Sequence, residues 1–289
     1  PEMLVLLGVA SYMNDFLGLS AYTVGNEYGL PANYWSELGG VPVRRAGSVF
    51  LASQAFALPF LLLLPAASVW GLHRARRHPV LTRVCYCLIW VGLLLTLTRW
   101  TIVICMLQLA LYFVIFRKPE WALGSAVAGA AALVVAMALA PPLLSFVWET
   151  LTWQTASSAS HLQDWSVALR AFLEQPWGHG LGTTDAIAIR FWRASLSSDN
   201  MYFSYAVQLG IAGLLALVAI LGGILASGWR AARSGSTDVQ RGFGAVVLLA
   251  ALGIFINGIT SIVFSSLMLG YLFFLFAGAL VTTAQREKN

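Results

Sequence analysis

The apolar run from Val80 to Phe116 restricts the fold of this chain more than any other feature of its sequence. As one helix it would be roughly 55 Å long at about 1.5 Å per residue. That is nearly twice the roughly 30 Å hydrocarbon core of a bilayer. Arg99 lies near its middle, and a charged side chain at the bilayer centre costs roughly 2.5–3.5 kcal/mol. We therefore predict that the run turns back at residues 96–100 into two helices, with Arg99 at the tip between them.

The composition predicts an all-α, polytopic membrane bundle. Of 289 residues, 59% are hydrophobic and only 10% are charged, and the mean hydropathy is +0.77. A soluble domain has about half apolar and about a quarter charged residues. We predict a single membrane domain over residues 1–289, with six full spans and an N-terminal stub at 3–13. The stub is too short to span, so we expect it to be the end of a cut helix with further helices upstream.

The basic residues predict the orientation of the bundle. Lys and Arg are concentrated in the short segments 72–79, 117–120 and 229–242 and in the C-terminal tail. Such segments face the cytoplasm, so the net charge of +5 indicates topology rather than binding to nucleic acid. The other side then carries a first loop at 14–48, a large loop at 148–200, and Arg99. We expect these loops and Arg99 to face outward, away from the cytoplasm.

The large loop contains a predicted amphipathic helix from Asp164 to Gln175. On a helical wheel its apolar residues form one arc, with polar residues opposite. His161 falls on the apolar face and Arg170 on the polar face. That apolar face must pack on the bundle or lie in the membrane interface. His161 is then either a packed histidine at the helix start or a reactive group. The arc contains Leu162, Trp165, Ala168, Leu169, Phe172 and Leu173.

Three further features of the loop each have two interpretations. Alternating glycines around Gly180 suit either a flexible turn or close backbone approach to a ligand. Arg190 and Arg193 suit either interfacial anchoring or binding of an anion. Asp199-Asn200, just before the predicted span at 201–228, provides either a helix N-cap or a reactive carboxylate. No His or Cys spacing typical of a metal site occurs, so we expect no metal or other cofactor.

Together these motifs resemble the O-antigen ligase and exopolysaccharide polymerase family of bacterial inner-membrane proteins. That family has a His-Asn type pair, nine residues and then Gly-x-x-Gly, matched here by Asp199-Asn200 and by Gly210 and Gly213. An Arg followed by a small residue and Phe before a span is matched by Arg45 to Phe50. The other matches are the pair His161/Trp165, the turn Pro176, Gly178, Gly180 and Gly182, and the hairpin tip Thr98-Arg99.

The resemblance implies a glycosyltransferase of the bacterial inner membrane. Its active side would be periplasmic, and so would the loops at 14–48 and 148–200. Its donor would be a glycan on undecaprenyl diphosphate, and its acceptor a glycan or a lipid-linked sugar. Arg99 would bind the diphosphate, and Asp199 would be the base. His161 would assist the leaving group or take the base role itself. The substrate-binding candidates are Arg45, Arg190, Arg193, Asn200 and Gly180.

Two positions depart from the family pattern, and two other functional classes stay open. The family's loop arginine is His161 here, and the histidine of its ligases is Asp199. An acidic residue there is more similar to the polymerases, and the double change also fits an inactive or divergent member. The alternatives are a transporter of polysaccharide or lipid-linked sugar, and a non-catalytic member of an assembly complex. Against a transporter, no predicted span carries a charge near its middle.

Overall fold

The protein is a bundle of helices with one small hairpin of strands. The computed structural model describes residues 35–38, 41–44, 53–74, 79–115, 152, 156–184, 199–265 and 267–286. The strands are β1 (Trp35–Leu38) and β2 (Val41–Arg44). The helices are α1 (Ser53–Ala57), α2 (Phe60–Arg74), α3 (Pro79–Leu95), α4 (Arg99–Ile115), α5 (Ala156–Glu174), α6 (Met201–Ser234), α7 (Asp238–Asn257) and α8 (Leu267–Arg286).

The predicted reversal of the long apolar run is confirmed. Helix α3 ends at Leu95 and α4 begins at Arg99. Between them, the Thr96 hydroxyl donates to the Leu93 carbonyl at 2.6 Å, and the Thr98 N–H donates to Thr96 Oγ1 at 3.2 Å. Leu97 takes a positive φ of 49° to complete the turn. Threonine side chains thus add hydrogen bonds to backbone groups at the interruption of the helix.

A buried glutamine joins three helices at the centre of the bundle. Gln108 of α4 donates through its side-chain amide to the carbonyls of Leu61 (2.9 Å, α2) and Leu249 (2.7 Å, α7). One turn further along α4, Tyr112 Oη donates to the Ser68 carbonyl at 3.2 Å. Contacts therefore advance in the same direction on α2 and α4, so these two helices are parallel. In lipid the hydrophobic effect does not drive helices to associate, so interhelical hydrogen bonds of this kind help to hold them together.

Helix α7 runs antiparallel to α2 and α4. A Cβ added at Gly242 would lie 2.8 Å from Val69, and one added at Gly253 would lie 3.3 Å from Leu61. The start of α4 and the C-terminal end of α7 are therefore at the same end of the bundle. We call this the Arg99 end. The turn between α6 and α7, with its basic residues, is at the opposite end, as the charge pattern predicts.

Helix α6 is broken at Gly210, which has φ 69° and ψ −166°. Straight, its 34 residues would extend about 51 Å, against about 30 Å for the 20 residues of α7. Yet the Met201 N–H donates to the Gly258 carbonyl at the end of α7 (2.7 Å), and Gly228 lies against Leu248. Both parts of α6 thus lie beside the shorter α7, so the chain turns back sharply at Gly210. The predicted span at 201–228 is wrong in this respect, because its first turns are a separate segment.

The exposed apolar surface of α6 supports the prediction that this is a membrane protein. Helices α6 and α7 are long and apolar enough to cross a membrane. Only 17% of the most apolar window of α6 is buried in the protein, whereas a core helix of a soluble protein is mostly buried. Exposed apolar surface on this scale is typical of contact with lipid. The predicted helical architecture is confirmed at this level, and the count of six spans stays a prediction.

Two other parts of the predicted architecture differ or are not described. The loop predicted at 14–48 contains the antiparallel β1–β2 hairpin, which pairs Trp35 with Arg44 and Leu38 with Val41, so the fold is not purely helical. The stub at 3–13, a predicted span at 121–147 and parts of the 148–200 loop lie outside the described residues.

Two glycines provide a matched test of this packing. A Cβ at Gly244 would lie 2.6 Å from both Ala231 Cβ and the Ala232 backbone nitrogen, whereas one at Gly222 would meet nothing within 4 Å. Gly244→Ala should destabilise the protein by about 1–3 kcal/mol, because α6 and α7 must separate. Gly222→Ala should be neutral or stabilise the helix by up to about 1 kcal/mol. Thermal unfolding in detergent measures both, and equal midpoints would contradict this packing.

Candidate active site

Helix α5 packs one half of its predicted apolar face on the first turns of α6. The predicted helix is confirmed, and it begins earlier, at Ala156, so His161 lies inside the helix rather than at its start. Ala168 and Ala171 are buried against Val207 of α6. The Trp165 ring lies 6.4 Å from that of Phe203. Small residues at the contact let the two helices approach closely.

The other half of the predicted face is exposed. Leu162, Leu169 and Leu173 all lie at the surface, although they belong to the predicted apolar arc. Half-buried His161 and exposed Arg170 face as predicted. A sequence pattern shows that a face is apolar, but it does not show whether protein or lipid covers that face.

The break in α6 is held by the glycine-rich turn that follows α5. The N–H groups of His179 and Gly180 donate to the carbonyls of Val207 (2.7 Å) and Gln208 (3.0 Å). The Ile211 N–H donates to the Pro176 carbonyl at 2.9 Å. The turn therefore supplies partners for backbone groups at the break. We call residues 176–182 with 207–211 the glycine junction.

Glycine is required in the junction for two separate reasons. Gly178, Gly180, Gly182 and Gly210 all have φ between 69° and 98°, a region that other residues rarely adopt. Gly178 also lies directly against the 207–211 segment of the junction. A Cβ at this position would be 2.6 Å from the Gln208 carbonyl oxygen. Of the two interpretations given above, close backbone approach applies to Gly178. The backbone that it approaches belongs to the same chain and not to a ligand.

Side chains reinforce the junction from the inside. Gln208 Oε1 accepts from the Gly182 N–H at 2.8 Å, and Gln208 Nε2 donates to Thr184 Oγ1 at 2.7 Å and to Ser204 Oγ at 3.0 Å. The Thr184 and Ser204 hydroxyls are 2.8 Å apart, and both are buried. The motifs above did not predict this cluster, whose signal in the sequence is a glutamine two residues before the Gly-x-x-Gly motif.

Asp199 and Asn200 have different structural roles. Asn200 is buried and is the N-cap of α6, since its side-chain oxygen accepts from the N–H groups of Tyr202 (2.9 Å) and Phe203 (3.1 Å). The N-cap interpretation therefore holds for Asn200 and not for Asp199. With Asn200 as the cap, the Asp199 carboxylate is turned toward α5 instead.

His161 and Asp199 meet between α5 and the start of α6. His161 Nδ1 lies 3.4 Å from Asp199 Oδ2, and the two side chains are 21% and 52% exposed. The His161 Nδ1 atom is buried and makes no hydrogen bond within the described part of the chain. The two side chains are therefore in close contact without a hydrogen bond between them. Catalytic contacts are often this loose before the substrate binds.

Asp164 belongs to the same cluster. Burial raises the pKa of its carboxyl, the charge of Asp199 raises that pKa further, and His161 lowers it. Asp164 is three residues after His161, so the two share a helix face. Asp164 was not among the predicted site residues, although its spacing from His161 could have indicated it.

Arg99 lies at the same end of the bundle as this cluster. It is the half-buried first residue of α4. Met201, two residues after Asp199, binds Gly258 at the C-terminal end of α7, which is also the Arg99 end. The structure thus places Arg99 and the His161–Asp199 pair at the same end of the bundle.

The structure adds no support for the remaining substrate-binding candidates. Gly180 is exposed, and its N–H already donates to Gln208. Arg45, Arg190 and Arg193 lie outside the described residues. Among the residues that the structure describes, no group of three or more His, Cys, Asp or Glu side chains could hold a metal ion.

The sequence of this region matches a known family. Residues 84–218 match the family model described as O-antigen ligase. This match supports the resemblance inferred from the motifs. The matched segment includes α4, α5, the glycine junction and the His161–Asp199 pair, so the candidate site lies within it. No curated protein matches the chain.

Substitutions at two glycines separate the requirements of the junction. Gly178→Ala combines an unfavourable φ with a clash against the Gln208 carbonyl. Gly180→Ala has only the unfavourable φ, because a Cβ at Gly180 would meet nothing within 4 Å. We expect Gly180→Ala to cost about 1–2 kcal/mol. Gly178→Ala should cost about 1–3 kcal/mol more, because backbone must move. The two variants are compared by thermal unfolding, and a Gly180→Ala variant as unstable as Gly178→Ala would contradict the junction.

Proposed function

We propose that this protein is a bacterial inner-membrane glycosyltransferase of the O-antigen ligase family. It would transfer or polymerise glycan units from undecaprenyl diphosphate onto an acceptor sugar during lipopolysaccharide or exopolysaccharide synthesis. The observation that carries the proposal is the His161–Asp199 pair, at 3.4 Å, inside the segment that matches the family. The basic residues at the opposite end of the bundle support a periplasmic location for the pair.

The reaction needs a base for the acceptor hydroxyl and cations for the leaving diphosphate. The acceptor oxygen bonds to the anomeric carbon, the bond from that carbon to the phosphate oxygen breaks, and lipid diphosphate leaves with the electron pair. The hydroxyl proton goes to the base. Positioned general bases contribute typically about 10²–10⁴-fold to such steps.

The geometry favours His161 as the base, with Asp199 holding it. Asp199 Oδ2 faces Nδ1 of His161, which leaves Nε2 to accept the proton. A carboxylate on one ring nitrogen fixes the tautomer in which the other nitrogen is basic. Imidazole is also the side chain whose ordinary titration lies nearest to neutral pH. The sequence-based assignment of Asp199 as the base thus changes to a positioning role.

Arg99 is proposed to bind the diphosphate. It lies at the end of the bundle where the pair lies, and a guanidinium fork matches phosphate oxygens. Its position at the start of α4 lets it reach the headgroup layer, where the diphosphate of a membrane lipid lies. Arg45, Arg190 and Arg193 stay secondary candidates for the same role.

Substitution of the pair tests the mechanism. His161→Gln and Asp199→Asn should each lower transfer by about 10²–10⁴-fold, because the base or its orientation is lost. Asp238→Asn is the matched control, since this exposed carboxylate pairs with Arg241 at the other end of the bundle. Transfer is measured as new glycosidic product from undecaprenyl-diphosphate-linked glycan. Folded variants that keep wild-type transfer would refute the proposal, as would movement of lipid-linked glycan across liposomes without any new bond.

Arg99 can be tested against another loop arginine. Arg99→Ala should lower transfer by about 10²–10³-fold, because a preorganised positive charge at the leaving group is lost. Arg99→Lys should restore part of it, since the charge returns without the fork. Arg170→Ala, on the exposed polar face of α5, should leave transfer unchanged. Equal effects of Arg99→Ala and Arg170→Ala would remove Arg99 from the site.

A further inference from the structure

The loop helix α5 has an apolar stripe that the protein does not cover. Leu162, Leu169 and Leu173 are exposed along one side of the helix, between its buried face and its polar face. The stripe continues beyond the helix in Trp177 and Leu181, which are 83% and 76% exposed. Such a row of large apolar side chains is unusual on a surface that faces water.

This stripe adjoins the exposed apolar surface of α6. Pro176, beside Trp177, accepts a hydrogen bond from Ile211. From that point along α6, the exposed residues include Ile211, Leu215 and Val218. The stripe and the lipid-facing side of α6 therefore meet at the glycine junction.

The length of α6 places the junction at a boundary of the bilayer. From Ile211 to Trp229 the helix rises about 27 Å at about 1.5 Å per residue, close to the roughly 30 Å of the hydrocarbon core. Trp229 is exposed, the Arg233 guanidinium lies 5.2 Å from its ring centre, and Arg230 follows it. Tryptophan with adjacent arginines is typical of a membrane–water interface. The exposed apolar side of α6 is therefore long enough to face lipid over most of the hydrocarbon core, with the junction at its outer end.

We propose that Leu169, Leu173, Trp177 and Leu181 form a lipid-anchoring surface that lies in the outer interface of the bilayer. The polar residues Gln163, Arg170 and Glu174 face water on the adjoining side of α5. A helix with such neighbouring apolar and polar faces is suited to the plane of the interface. The occupant of the stripe is lipid, because the stripe is continuous with the lipid-facing surface of α6.

Nitroxide accessibility tests the proposal with controls on the same helix. Single Cys variants carry the label in a background with Cys85, Cys87 and Cys105 replaced by alanine, in nanodiscs of phosphatidylcholine and phosphatidylglycerol. The test positions are Leu173→Cys, Trp177→Cys and Leu181→Cys, and the controls are Gln163→Cys, Arg170→Cys and Glu174→Cys. All six native residues are exposed, so the labels leave the packing intact. The ratio of collisions with oxygen to collisions with a water-soluble nickel complex should be several-fold higher at the test positions.

Two results would overturn the proposal. Equal ratios at test and control positions would show that the stripe faces water. Spin–spin broadening at Leu173→Cys and Trp177→Cys, in nanodiscs that hold two copies, would show that a second copy covers the stripe. Neither readout depends on glycosyl transfer, so failure here is distinguishable from failure of the proposed function.

Discussion

The arrangement of the site depends on how the backbone is satisfied at the break in α6. A helix interrupted near a membrane leaves N–H and C=O groups without partners, each at a cost of several kcal/mol. Here the freed groups at Val207, Gln208 and Ile211 bind the turn at Pro176–Gly180. The break and the turn are therefore one unit. Neither is stable in this form without the other.

The junction also explains why the candidate catalytic residues meet. It fixes the end of α5 to α6 at one point, and the Ala168–Val207 contact aligns the two segments. His161 is then carried to the start of α6, where Asn200 caps the helix and leaves Asp199 free to face it. Met201 ties the same point to the end of α7. Glycines far from the reacting atoms thus control the distance between the proposed base and its carboxylate.

The features that sequence predicted were those set by length and periodicity. The α3–α4 reversal follows from a run too long for one bilayer crossing, and α5 follows from its helical pattern. The family followed from the order of motifs that are individually loose, and it is confirmed for residues 84–218. Each of these rests on a constraint that acts within a short stretch of chain.

The features that sequence did not predict depend on distant partners. Gly-x-x-Gly suits close helix packing and a helix break equally, because both need the absence of a side chain. The φ of Gly210 and the hydrogen bonds of the glycine junction show that the motif marks a break here. The leucines of α5 are apolar whether protein or lipid covers them. Similarly, either member of Asp199-Asn200 could cap α6, and the hydrogen bonds that Asn200 accepts from Tyr202 and Phe203 decide between them.

Amide hydrogen exchange at the junction tests the central claim most directly. The N–H groups of His179, Gly180 and Ile211 should exchange as slowly as those inside the helices, because each donates to a carbonyl across the junction. In Gly178→Ala they should exchange faster, and so should the amides of α5 around His161. Rapid exchange of all three in the wild-type protein, with α5 still protected, would show that the junction does not hold the helix. The account of how His161 reaches Asp199 would then be wrong.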